Sequence, residues 1–134
     1  MLMVYWTRVF LAFAGLFGAT AVAISAAAAH VLVGRLEPDQ LEWVKTASDY
    51  QMIHAVALLA SAAMVNFSRF RVGVTLAGVC FIIGIVFFSG SLYAMVYSGH
   101  RAFAAVTPFG GFAFIVGWVS LLWAGLRQQR EGGA

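Results

Sequence analysis

"DYQMIHAVALLASAAMV", residues Asp49 to Val65, is the stretch on which the fold turns. From Ala55 to Val65 only Ser61 interrupts the apolar run, whereas Tyr50, Gln51 and His54 gather at its start. The run is continuous rather than alternating, so it reads as a helix apolar on all sides. Such a helix lies either in a large protein core or in a membrane, and its polar leading edge then needs partners.

Working outward, the rest of the chain selects the membrane. Of 134 residues, 63% are hydrophobic and 10% are charged, and the mean hydropathy is +0.92. A soluble domain is about 45–50% apolar and about 25% charged. A chain this short has no interior large enough to hide so much apolar surface, so its solvent is lipid. The net charge of +3 rests on few residues. In such a chain Lys and Arg set orientation, and nucleic acid is not an expected partner. The single cysteine, Cys80, sits mid-run and reads as a small core residue.

Charges punctuate the chain into four apolar stretches, expected as spans at about 9–32, 50–68, 72–98 and 104–126. Each approaches the roughly 20 residues that a helix needs to cross a bilayer core. The fold class expected is therefore all-α, a four-helix integral membrane bundle forming one domain over residues 1–134. The first stretch is expected to be a retained span: its apolar region exceeds a signal core, and Arg8 follows seven uncharged residues. The link "GRLEPDQLEWVKTASD" carries Pro38, a helix starter, with Glu37 and Asp39 near the positive dipole end. It predicts a short interfacial helix between spans one and two, its continuity with span two left open. The tail "RQQREGGA" is expected to fray.

Arg8, Arg69, Arg71, Arg127 and Arg130 fall on one side of this topology. Arg35, Lys45 and Arg101 fall on the other, with four of the five acids. The basic side faces the cytoplasm, which makes this a multi-pass protein of a bacterial inner membrane with both termini cytoplasmic.

Sorted by depth, the polar residues meet at one outer level: His30 at the end of span one, Tyr50, Gln51 and His54 on span two, Ser89, Ser91 and Tyr93 on span three, and Thr107 on span four. The inner halves hold only scattered Thr20, Ser61, Asn66, Thr75 and Ser120. Unpartnered polar groups in hydrocarbon cost several kcal/mol, about the value of a lost hydrogen bond. These residues are therefore expected to point inward and bond to one another. On span one, the rows Gly15-Ala19-Ala23-Ala27 and Ala14-Gly18-Val22-Ala26-His30 form a small-residue face that predicts close helix packing, with His30 looking toward the bundle. Gly110, Gly111 and Gly117 predict a second close contact, and Gly90 reads the same way.

The segments "YQMIHAVALL", "FSGSLY" and "TPFGGFAFIVGW" resemble signature blocks of the transmembrane protein 256-like family (domain of unknown function 423). The likeness covers spans two to four. In span one the family's glycine-alanine-histidine segment stands here as "AAAAH". The resemblance implies four spans and no particular chemistry.

The polar level admits several readings. Hydrogen-bonding glue between helices is the plainest. A pocket for a small amphipathic ligand or a lipid headgroup is the next, with Arg101 as a cation for an anionic head. A copper or zinc site on His30 and His54, helped by Met52 or Met95, lacks HxxxH, CxxC or HxxE spacing. Catalysis and transport lack a nucleophile–base–carboxylate set, and the expected spans hold no acidic or basic relay apart from histidine. The function expected is non-enzymatic and without cofactor, in contact with the lipid bilayer. The alternative is an accessory or assembly subunit of a larger membrane complex, or a homo-oligomer.

Overall fold

The computed structural model describes residues 2–130. The chain forms α1 (Leu2–His30), α2 (Pro38–Met64), α3 (Arg71–Gly84), a π-helical turn (Ile85–Ser89), α4 (Gly90–Ser98), a 3-10 turn (Arg101–Ala105) and α5 (Thr107–Arg130). α3, the π-turn and α4 run on as one rod, so four rods result, with no strand among the described residues.

Three stretches are long and apolar enough to cross a membrane: Val4–His30, Arg71–Ser98 and Arg101–Arg127. α2 differs. Its first half carries Asp39, Glu42, Lys45 and Asp49, and only its second half is apolar. The link helix and the second apolar run are one unbroken helix, because no breaker follows Pro38. Its start is well made. Pro38 opens the first turn, Glu37 accepts from the backbone N–H of Gln40, and the Glu37 N–H donates to Gln40 Oε1 at 3.2 Å. That reciprocal pair satisfies two donors a helix start leaves bare. α2 ends at Met64, and residues 65–68 form a turn rather than the last part of a span. α4 stops at Gly99, whose φ of 71° only glycine adopts without strain and whose N–H bonds Met95 O at 2.9 Å. The tail is helical to Arg130, and residues 131–134 lie outside the described residues.

α1 packs on α2, and α5 packs on α3, while α2 against α3 and α4 joins the two pairs. The packing seam of α1 is Phe10, Ala14, Phe17, Ala21 and Ala28, which shares only Ala14 with the rows of small residues. Gly15, Ala19, Ala23, Val22, Ala26 and His30 are exposed. The physical reason lies opposite α1, where the small residue sits on the partner: the Phe10 ring fills the space a Cβ at Gly78 would need. A Phe knob in a glycine hole buries more apolar area than two small faces could.

The expected contact on the last rod is met at Gly117, against the Phe81 ring, and at Gly110. A Cβ on Gly110 would collide with the backbone of Phe88, inside the π-turn. Gly90 makes no such contact. It closes the π-turn instead, donating its N–H to Ile85 O. One extra residue in that turn widens the helix, and α5 approaches it at Gly110.

Candidate functional site

The polar residues of α2 begin where its charged half gives way to its apolar half. Gln51 is buried and joins three rods. Its Nε2 donates to Phe17 O at 2.8 Å and to Thr20 Oγ1 at 2.7 Å, both on α1. Its Oε1 accepts from the Tyr93 hydroxyl of α4 at 2.9 Å. Two donors and one acceptor are thus used, and this pattern fixes the amide orientation.

His54 lies one turn further along and is buried. Its Nδ1 is 2.7 Å from Tyr50 O, and its Nε2 accepts from Trp118 Nε1 of α5 at 3.1 Å. A carbonyl only accepts and an indole N–H only donates, so the partners assign a neutral ring with its proton on Nδ1. The ring stacks on Phe114 with centroids 3.5 Å apart and planes 9° from parallel. Tyr50 lies beside this pair, its ring 5.9 Å from His54 and stacked on Phe88 at 4.6 Å.

Two further bonds tie the third rod. Ser89, at the end of the π-turn and fully buried, donates to Ala47 O at 2.8 Å across 42 residues of chain. Ser91 Oγ donates to Phe88 O at 2.9 Å and lies 2.7 Å from Thr107 Oγ1 at the start of α5. Among the described residues, no buried side-chain nitrogen or oxygen lacks a partner.

Seven of the eight candidate residues therefore stand in interhelical contacts, though as separate sets rather than one cluster: Gln51 with Tyr93, His54 with Trp118, Tyr50 with Phe88, Ser89 with α2, and Ser91 with Thr107. His30 stands apart. It ends α1 on the exposed side, and no hydrogen bond ties it to the others among the described residues. Its displacement follows from the Phe seam, which turns the His30 row outward. The sequence reading missed Thr20, placed among the scattered residues, and Trp118, which was not among the candidate residues. A signal existed for Trp118, since it closes "TPFGGFAFIVGW" together with Phe114.

Open space lies beside these contacts, at the acidic end of the rods. A cavity of about 380 Å³ is lined by Glu37, Asp39, Gln40, Trp43, Met95 and Arg101, with Pro38 and Gly99. A second, of about 530 Å³, is lined by Trp43, Phe88, Leu92, Met95, Arg101 and Pro108, among others. The two share Trp43, Met95 and Arg101. The Arg101 guanidinium sits 5.8 Å from the Trp43 ring centroid. His54 and Gln51 line neither cavity. No group of three or more His, Cys, Asp or Glu side chains is arranged to hold a metal ion among the described residues.

The model of the family described as "Protein of unknown function (DUF423)" matches residues 24–111. The chain belongs to the DUF423 family. It is 36% identical to the UPF0382 inner membrane protein YgdD of Escherichia coli (strain K12) over 126 residues, 94% of this chain and 95% of the relative. It is 37% identical to a UPF0382 membrane protein of Haemophilus influenzae over 124 residues, 90% of this chain and 95% of the relative. A Staphylococcus epidermidis UPF0382 membrane protein is 37% identical over 120 residues. No solved structure matches the chain. The Escherichia coli relative, covered almost end to end, places the chain in the bacterial inner membrane, and none of these names carries an enzymatic activity.

Proposed function

We propose that this DUF423 protein is a non-enzymatic binder of an amphipathic molecule, held in the groove at the acidic end. All four rods cross the membrane in this reading, with both termini cytoplasmic and the acidic end outside. The observation that carries it is the adjoining pair of cavities, which share Trp43, Met95 and Arg101, one edged by charged and polar groups and the other lined mostly by apolar ones. That pairing matches a molecule with a polar head and a hydrocarbon tail. The hydrogen-bonded residues frame the groove. Both ring nitrogens of His54 are engaged, so a metal ion would have to displace Trp118 or Tyr50 O.

Native mass spectrometry of gently extracted protein tests the reading. An adduct of amphiphile mass, displaced when Trp43→Ala opens the groove, is the expected result. Bare protein at every extraction strength would overturn it. A reporter at the C-terminus reading periplasmic would overturn the topology.

One observation favours a second reading, association with another copy of the chain. On the exposed face of α2, Glu42, Lys45 and Asp49 stand in line with Ile53, Val56, Ala60 and Ala63. Asp49 lies two residues past Ala47, whose carbonyl takes the Ser89 bond, and so falls within the rods rather than beyond them. A second copy related by a two-fold axis would set Lys45 against Glu42 and Asp49 of its mate. Oxidative cross-linking of Ala60→Cys in membranes should then give a covalent dimer, and its absence would dispose of this reading.

A further inference from the structure

We infer that the groove selects a phospholipid whose head is zwitterionic, an ammonium beside a phosphate. The inference rests on the amphiphile reading above and names the head it would take. Arg101 and Asp39 line one cavity, with Glu37 beside them. No ion pair joins either acid to Arg101 among the described residues. Glu37 is occupied in capping α2, and Arg101 rests over the Trp43 ring. Opposite charges that face one space without closing on each other suit a group that carries both signs.

The alternatives fare worse. A purely anionic head meets Arg101 but also the field of two carboxylates. A purely cationic head meets the carboxylates but also Arg101. A zwitterion satisfies both at once. The guanidinium can donate two parallel N–H bonds to phosphate oxygens, and the Trp43 face holds it in place. The ammonium donates to the Asp39 carboxylate, which is exposed in the first turn of α2. Beside the head, the adjoining cavity lies between Trp43 and Met95 and the side chains of Phe88, Leu92, Ala104, Thr107 and Pro108, a mostly apolar lining suited to a hydrocarbon chain.

The test is native mass spectrometry of the full chain in mild detergent, titrated with dioctanoyl phosphatidylethanolamine or dioctanoyl phosphatidylglycerol. The zwitterionic lipid should bind up to about fivefold more tightly, the range expected of one added exposed charge pair. Asp39→Asn should bring it down to the glycerol lipid. Arg101→Gln should weaken both. Free O-phosphoethanolamine, which has no chain for the apolar cavity, should displace neither. Asp39 and Arg101 are both exposed, and unchanged helical circular dichroism verifies that the variants are folded. Equal binding of the two lipids, preference for the glycerol lipid, or an unaltered preference in Asp39→Asn would each overturn the zwitterion inference while leaving an amphiphile site. Displacement by the free head would overturn the lipid as its source. If neither lipid binds, the groove reading itself falls and this inference with it.

Discussion

Gln51 and Arg101 belong to two neighbouring regions of the same end of the molecule, and the two are built on opposite terms. Around Gln51 and His54, polar side chains from different rods meet donor to acceptor, and nothing is left over. Around Arg101, Asp39 and Glu37 share a cavity with a cation they do not pair with. A saturated set of hydrogen bonds positions helices, whereas unspent charge beside an apolar cavity is what a ligand can use. A histidine buried in an apolar bundle is an obvious functional candidate, but here the frame consumes both of its nitrogens.

The largest expected effect falls on the frame's tightest point. Gly110→Ala drives a methyl into the Phe88 backbone and should lower stability by about 3 kcal/mol, the upper end of overpacking costs. Unfolding in detergent by denaturant titration measures it. A neutral result would mean that the π-turn yields. Gln51→Leu follows. It removes three bonds among α1, α2 and α4, and at about 0.6 kcal/mol each the loss is about 2 kcal/mol. Tyr93 and Thr20 should then lose their coupling in a double-mutant cycle. Ser89→Ala should cost about 0.6 kcal/mol, since Ala47 O stays within its helix. Arg101→Gln is the smallest, within about 0.5 kcal/mol on stability because the side chain is exposed. A large loss at Arg101 would erase the contrast, because the groove would then be frame as well.

Much of the frame was legible in the chain. Charge punctuation marked out four helical stretches, although α2 runs through the charges expected to bound its span. Gln51, His54, Ser89, Tyr93 and Thr107 stood out because polar side chains in apolar helices need partners. His30 misled, because a row of small residues suggested the packing face while Phe10 and Phe17 carried it. The π-turn at Ile85–Ser89 was hidden, having no proline to announce it and depending on the distant Gly110. The groove was equally hidden. Asp39 and Arg101 are far apart in the chain and share a cavity only once α2 and α4 lie side by side. Patterning reports what each helix needs to bury, and the spaces between helices follow from packing alone.

The most direct measurement is a paired one: native mass spectrometry of gently extracted His54→Phe and Arg101→Gln proteins beside the parent. His54→Phe keeps the stack on Phe114 and gives up only the hydrogen bonds. His54→Phe should retain the bound amphiphile, and Arg101→Gln should lose it. An amphiphile lost from His54→Phe and kept by Arg101→Gln would overturn the groove as the binding site and return the site to the polar level.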